Sequence, residues 1–358
     1  MTNLNTTDMK RINILLSLIA SLLFFISCNE DYVWDEEQYE QYISFKAPMN
    51  DQGCTNIYIR YKPEGKVTYK LPIIVSGSTM NEKTRHIHIA EDQDTLVTIN
   101  EQRFGPNRPE WWYEPLEKDK YYTFNEEFIM NAGVSLDSMD IDFTLGGIDM
   151  TRKWVVPLTI VDDPSFDYKK HPRKNYAKAI LRVWPFNDYS GKYSTSTMEV
   201  YFRNPDTGDI KDNQPMVTDQ RTAYVVDENT IFFYAGLMNE EMKVEDRQKY
   251  KVYIRFLGHG SDNDADKKLE IWSDNEDINF KLKTQNPMYM TAAIPDVTKP
   301  YLEHRYVSFD IEYDFDDITS VKYSEGNVVP VYYKVKGTLI LERNVNTQIP
   351  DEDQAIQW

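Results

Sequence analysis

The chain has 358 residues, 40 Lys and Arg against 58 Asp and Glu, a formal net charge of −18, and 41% hydrophobic and 13% aromatic content. At roughly 100–200 residues per domain this length favours two domains, each able to bury an ordinary core, and the composition argues against a disordered chain. Phosphate recognition relies on clustered Lys and Arg, and the summed negative field repels a polyanion, so nucleic acid is not expected as a partner.

The first elements concern location. Lys10 and Arg11 precede a 15-residue apolar run, Ile12 to Ile26, interrupted only by Asn13, Ser17 and Ser21. A spanning helix needs about 20 apolar residues, so this run reads as the core of a signal peptide covering residues 1–27. The stretch Phe25-Ile26-Ser27-Cys28 resembles a bacterial lipobox, with Phe25 where Leu is usual. That resemblance implies lipid attachment at Cys28, and acyl chains on one Cys hold a protein at a membrane without a spanning segment. The alternative is a plain secreted protein cleaved elsewhere, with Cys28 discarded. Residues 28–40 form an acidic tether. Asn29-Glu30-Asp31 and Asp35-Glu36-Glu37 within it resemble the export signal of Bacteroidota lipoproteins, which implies an outer-membrane location facing the cell exterior. With Cys28 acylated only Cys54 remains, so no intramolecular disulfide can form. Cys54 reads as a small buried strand residue.

From 41 to 184 the pattern alternates with a period of two. Met139-Asp140-Ile141-Asp142-Phe143-Thr144-Leu145 is the clearest strand with one wet face. Further strands are expected at 67–75, 86–89, 96–99, 121–130, 154–161 and 176–183, separated by Gly- and Asp-rich turns. Seven or more short strands with no convincing amphipathic helix predict an Ig-like β-sandwich, by architecture only, because no Cys…Trp…Cys spacing is present.

The runs Tyr69-Lys70-Leu71-Pro72-Ile73-Ile74-Val75-Ser76-Gly77, Phe128 to Gly133, and Trp154-Val155-Val156-Pro157-Leu158-Thr159-Ile160 are similar to the N-terminal sandwich of Bacteroidota surface lipoproteins of unknown function. Those proteins are encoded among polysaccharide-utilisation genes. The resemblance implies location and context more than activity.

Two features interrupt the sandwich. The loop Arg103 to Glu117 carries Trp111, Trp112 and Tyr113 in succession. Such rings could stack on sugar faces, with Glu110 or Glu114 accepting hydroxyl hydrogen bonds, or they could fold back over the sandwich or dock on the second domain. His86 and His88 share one strand face. Zinc needs three or four ligands and no third is indicated, so a solvated face is expected and no metal is assigned.

Trp184-Pro185 is the expected boundary, with proline ending the last strand of the first domain. Strands then follow at about 194–203, 221–226, 230–234, 250–257, 269–273, 280–282, 288–292, 306–313 and 332–343. The last alternates Tyr333, Val335, Gly337, Leu339 and Leu341 against a polar face. Eight or nine antiparallel strands predict an up-and-down β-barrel over 186–343, with a second sandwich as the alternative. The opening Ser190-Gly191-Lys192-Tyr193 and the closing Gly337 to Arg343 resemble the lipocalin-like domains that follow the family sandwich. Such a barrel is either packed or holds one small-ligand cavity. Trp272 lies on the polar face beside Glu270 and is a further candidate glycan-stacking ring. Asp262, Asp264 and Asp266 begin like a calcium loop, but Lys267 and Ser273 stand where an EF-hand needs Gly and Glu, which leaves an acidic hairpin tip or a looser calcium site. Residues 344–358 lack a period and read as a flexible tail.

No nucleophile, metalloprotease, phosphate-loop or dinucleotide motif is present, so catalysis has little to stand on and no cofactor is implied. With 58 acidic residues, some carboxylate pair meets glycosidase spacing by chance. The expectation is a surface-anchored, non-catalytic lipoprotein that captures a polysaccharide or oligosaccharide for uptake, partnered by an outer-membrane transporter complex. The alternatives are an adhesin or fimbria-like structural subunit, and a glycoside hydrolase with an unrecognised site.

Overall fold

The computed structural model describes residues 37–258, 267–320 and 329–350. The expected signal peptide, Cys28 and the triad Asp262, Asp264 and Asp266 lie outside the described residues. Among those described, the chain is all-β, a sandwich followed by an antiparallel barrel.

The first half contributes β1 (Tyr42–Phe45), β2 (Thr55–Arg60), β3 (Val67–Val75), β4 (Arg85–Glu91), β5 (Glu114–Pro115), β6 (Tyr122–Phe124), β7 (Glu127–Met130), β8 (Leu136–Phe143), β9 (Trp154–Ile160), β10 (Lys169–Lys170) and β11 (Lys178–Phe186). One sheet runs β10-β1-β3-β8-β6 and the other β2-β11-β9-β4-β7, with β5 alongside β9. Alternate residues of each strand point into the space between them. Ile43, Leu71, Ile73 and Ile141 from one sheet meet Ile57, Ile87, Leu158 and Leu181 from the other in a common buried core.

Three expectations are corrected here. Leu96 to Ile99 is not a strand but part of helix α1 (Gln93–Phe104). A short run with three β-branched residues, Val97, Thr98 and Ile99, fits either state, and the flanks decide. The Asp92 carboxylate accepts hydrogen bonds from the Thr95 N–H at 3.0 Å and the Thr95 hydroxyl at 2.7 Å, and Gly105 ends the helix with φ 94°. Pro185 does not end its strand, because β11 continues to Phe186 in parallel register with β2. Its pairing with β9 stops at Arg182, and a strand with a neighbour on one side only tolerates a residue without an N–H. Finally, Asn344 to Asn346 are not tail but the end of the last strand, paired with Leu302 to His304.

The second half comprises β12 (Gly191–Ser194), β13 (Glu199–Phe202), β14 (Met216–Val217), β15 (Gln220–Val225), β16 (Thr230–Tyr234), β17 (Lys251–Leu257), β18 (Lys268–Trp272), β19 (Lys281–Leu282), β20 (Tyr289–Pro295), β21 (Leu302–Asp317) and β22 (Val331–Asn346). The order β12-β15-β16-β17-β18 continues to β20 through the Lys268–Met288 bridge and the hydrogen bond from the Leu269 N–H to the Pro287 carbonyl at 2.8 Å. From β20 the sheet runs to β21 and β22 and returns to β12, where Tyr193 pairs with Leu341. Closure through eight strands leaves an interior about wide enough for side chains. Tyr193, Phe233, Ile254, Phe309, Ile311 and Leu339 fill it.

The outward face of the barrel is also apolar where it meets the sandwich. Tyr224, Phe232, Tyr253 and Trp272 are successive cross-strand partners on β15 to β18. Trp184 stacks on Tyr224 with centroids 6.0 Å apart, and the row joins the sandwich core cluster. Rings in adjacent strands add to burial, so this row forms an apolar seam between the modules. Polar contacts flank it. Arg182 pairs with Glu240 at 2.6 Å, and Arg247 donates from Nε to the Thr151 carbonyl at 2.7 Å.

Candidate functional site

The aromatic loop is placed by the short turn Pro109–Trp111. Its three rings do not form one free platform. Trp111 is half-buried and donates from Nε1 to the Glu241 carbonyl of the barrel at 2.8 Å, with Lys243 Nζ 5.1 Å from its ring. Trp112 donates to the Gly105 carbonyl at 3.1 Å. Tyr113 is 2% exposed and cannot meet a ligand, because it completes a satellite core with Cys54, Leu96, Val155 and Ile180. Its main chain is gripped by Asn100, which accepts from the Tyr113 N–H at 2.8 Å and donates to its carbonyl at 2.9 Å. Glu110 pairs with Lys243 at 3.3 Å and Glu114 with Arg152, so both carboxylates are engaged within the protein. Burial pushes the Cys54 thiol up from its ordinary pKa, as expected of an inert core cysteine.

Trp272 is half-buried at the end of the seam. Tyr253 stacks on it at 5.3 Å and 15°, Arg255 lies 5.3 Å from its centroid, and Nε1 donates to Asp274 at 2.8 Å. His86 faces Glu127 at 2.6 Å and His88 stacks on Phe166 at 4.4 Å. Among the described residues, no three or more His, Cys, Asp or Glu side chains gather as a metal would require.

The concave site lies elsewhere, at the mouth of the barrel. Inward positions along β21 are apolar from Phe315 to Val307, and along β22 from Val335 to Leu341. The next inward residue on each strand is arginine, Arg305 and Arg343, and these two are direct cross-strand partners. Packing ends there and a cleft of about 400 Å³ opens. Thr291 and Ala293 of β20 supply one wall. The junction between the modules supplies the other, through Arg60, Phe186, Asp188 and Tyr189.

The floor is rigid. Tyr189 stacks on Phe256 with centroids 3.9 Å apart and meets Tyr289 edge-on. Arg343 donates to the Asn187 carbonyl at 2.7 Å and the Ser190 carbonyl at 2.6 Å, which fixes the guanidinium. Arg60 pairs with Asp188 at 2.7 Å. Desolvation in the cleft works against the Asp188 carboxylate, but the hydrogen bond from Arg60 and the charges of Arg60, Arg343 and Arg305 outweigh it and hold its pKa below the ordinary range. Lys267 is buried against Thr291 at 3.0 Å, and the Tyr306 hydroxyl donates to Glu342 at 3.1 Å on the rim. The Phe186 ring is covered by Arg60 and Arg343 and one face of Tyr189 by Phe256, so the pre-formed cleft presents mainly polar side chains with Tyr306 at its rim.

Sequence reasoning missed Arg60, Asp188, Arg305 and Arg343. The one available signal was parity. Arg343 sits two residues beyond Leu341 in the alternating strand, where an inward residue turns from apolar to charged.

The fold and cleft define a two-module all-β protein with an open barrel mouth. Residues 34–164 match the family model of a domain of unknown function (DUF4973), and residues 177–340 match the model of a C-terminal domain. A protein of unknown function from Bacteroides ovatus is 49% identical, with 89% of this chain and 100% of that one aligned at a TM-score of 0.76. A multidomain protein including DUF1735 from the same organism is 48% identical, with the same coverage and TM-score. An auxiliary nutrient binding protein from Bacteroides thetaiotaomicron is 40% identical over 89% of this chain and 100% of that one, at 0.75. The chain belongs to the family of Bacteroides two-module proteins that these structures represent. Comparison with curated proteins gives no match.

Proposed function

We propose that the chain is a non-catalytic capture protein that holds an oligosaccharide or a segment of polysaccharide at the barrel mouth for uptake. The observation that carries this reading is the cleft of about 400 Å³ where the barrel packing stops, bordered by the half-buried Tyr306 together with hydrogen-bonding side chains. Aromatic faces suit the C–H faces of sugar rings, and fixed polar groups suit their hydroxyls. The 40% identical protein described as an auxiliary nutrient binding protein supports it. In this reading Cys28 carries the lipid, the protein faces outward from the outer membrane, and an outer-membrane transporter receives the ligand. Weak sites confined to a surface gain strength by repeated engagement of one polymer, so modest single-site affinity is sufficient.

Calorimetric titration of the purified chain with a panel of oligosaccharides tests the site. Tyr306→Ala is expected to weaken binding roughly 2- to 10-fold, the range for loss of one aromatic contact. The double substitution Trp111→Ala/Trp112→Ala is expected to leave affinity unchanged, since the Trp111 indole is engaged at the module junction. The opposite pattern would move the site to the loop. For the anchor, intact-mass analysis of the membrane-derived protein is expected to show a chain starting at an acylated Cys28, and an unacylated mature start would remove the tether from the account.

A further inference from the structure

The sandwich has an open side between its two sheets. β8 pairs with β3 along its whole length, from Leu136 opposite Ile74 to Phe143 opposite Val67, whereas β6 covers only Ile141 to Phe143 on the other edge. Two hydrogen bonds fix which groups are left over. The Val75 N–H donates to the Ser135 carbonyl at 2.9 Å, so the odd-numbered residues of β8 exchange bonds with β3. The Thr144 N–H donates to the Tyr121 carbonyl at 2.8 Å, so the even-numbered residues face the side of β6. β6 ends at Phe124, and among the described residues no strand meets the main-chain groups of Leu136, Ser138 and Asp140. The Ser138 N–H turns to the Asp137 carboxylate of its own strand at 2.8 Å.

Across the gap, β7 is the last strand of the other sheet. The Ile89 N–H donates to the Glu126 carbonyl at 2.8 Å, so even-numbered residues of β7 bond to β4 and the main chain of Glu127 and Ile129 faces outward. A groove of about 650 Å³ lies between the two edges, lined in part by Phe124, Phe128, Ile129, Ser138, Met139 and Asp140. No Lys or Arg lines it. Asp142 is answered by Lys66 at 2.7 Å and Glu127 faces His86 at 2.6 Å. The Asp140 carboxylate is exposed and makes no ion pair among the described residues, although Lys70 stands opposite it on β3. A second copy of the chain would bring like charges together, so the carboxylates oppose self-pairing while attracting a cationic strand.

We propose that this groove binds an extended peptide segment of a partner, one that alternates apolar with Lys or Arg side chains, as an added strand beside Leu136 to Asp140. The segment continues the line of β6 and bonds through its main chain to Leu136, Ser138 and Asp140. Residues opposite Met139 point inward, so its apolar side chains meet Met139 and Phe128, and the alternate cations face Asp140.

The test uses the full mature chain with a short peptide alternating Val and Lys and a counterpart alternating Val and Glu. Affinity is read by fluorescence anisotropy, and amide hydrogen exchange is followed residue by residue. The Val and Lys peptide is expected to bind and to slow exchange at Leu136, Ser138 and Asp140 while leaving Met139 and Ile141, already bonded to β3, as they were. Asp140→Lys, at an exposed position, is expected to weaken that binding at least about tenfold, and added salt to weaken it in the native chain. Ser138→Pro removes an N–H that faces the groove without taking a bond from the β3 ladder, since its partner there is Pro72, and it too is expected to weaken binding. Failure of the Val and Lys peptide to bind, equal affinity for the Val and Glu peptide, affinity unchanged in both variants, or slowed exchange at Glu127 and Ile129 in place of β8 would each overturn the inference. None of these outcomes bears on saccharide capture at the barrel mouth.

Discussion

Replacing Glu240 with alanine is expected to destabilise the chain by about 3–5 kcal/mol, the range for removing one partner of a buried ion pair. Three cations converge on this carboxylate. Arg182 bonds to it at 2.6 Å, and both Lys153 and Arg247 lie close enough to lower its pKa. All three are buried, at 5%, 4% and 2% exposure. Burial already pulls Lys153 down to about 8, with Glu241 and Glu240 opposing that fall. Without Glu240 the Arg182 guanidinium keeps its charge in a desolvated junction where Tyr113 and Trp184 flank it at 5.7 and 4.2 Å. A double replacement, Arg182→Met/Glu240→Met, is expected to recover most of the loss, because removing both charges leaves no uncompensated ion. The measurement is the urea midpoint of each variant. A loss below about 1 kcal/mol for Glu240→Ala would mean that the aromatic seam alone joins the modules.

The pair also sets a pH dependence. Burial raises the Glu240 pKa, but the charges of Arg182, Lys153 and Arg247 and the hydrogen bond from Arg182 outweigh it, so the net shift is downward. A carboxyl with a lowered folded-state pKa contributes stability that is complete above the unfolded value, about 4.3, and is lost as pH falls through the folded value. Junction stability is therefore expected to weaken only below the usual glutamate range, and Glu240→Gln should flatten that acid limb.

Gly337→Ala is the second large effect, expected at about 3 kcal/mol or more from overpacking combined with backbone strain. Gly337 has φ 155°, and a methyl group there would lie 2.5 Å from Met198 Cα and 2.8 Å from the Thr197 carbonyl oxygen. Both obstacles are main chain of the turn between β12 and β13. That turn is held against β22 by the hydrogen bond from the Thr338 N–H to the Thr197 hydroxyl at 3.2 Å. Neither segment can swing aside as a side-chain tip would. Thermal unfolding of the variant should fall well below that of the native chain. An unchanged midpoint would show that the turn is free to lift.

Gly337 also marks how far the sequence reaches. Its place in the alternating strand is plain from Tyr333 to Leu341, yet nothing local says that another turn crosses it. Strand identity is legible elsewhere for the same reason. Val67–Val75 and Thr230–Tyr234 carry alternation or continuous apolar runs between turn residues, and burial of one face is a property of neighbouring positions. Leu96 to Ile99 misled because four residues fit two periods, and the deciding groups were the Asp92 cap and the Gly105 stop.

Function is legible to a smaller degree. Trp111, Trp112, Tyr113 and Trp272 stand out by residue type, but type does not distinguish a sugar platform from a junction. The fold turns Tyr113 inward and binds the Trp111 indole to the Glu241 carbonyl. The cleft draws Arg60, Asp188, Arg305 and Arg343 from positions as much as 283 apart in the chain. The sequence by itself determined the all-β class, the acidic surface and most strand positions, because these follow from composition and short-range periodicity. The cleft at the barrel mouth was decided by tertiary structure alone, since barrel closure and the docking of the sandwich bring those side chains to one place, and no local pattern encodes which distant segments will meet.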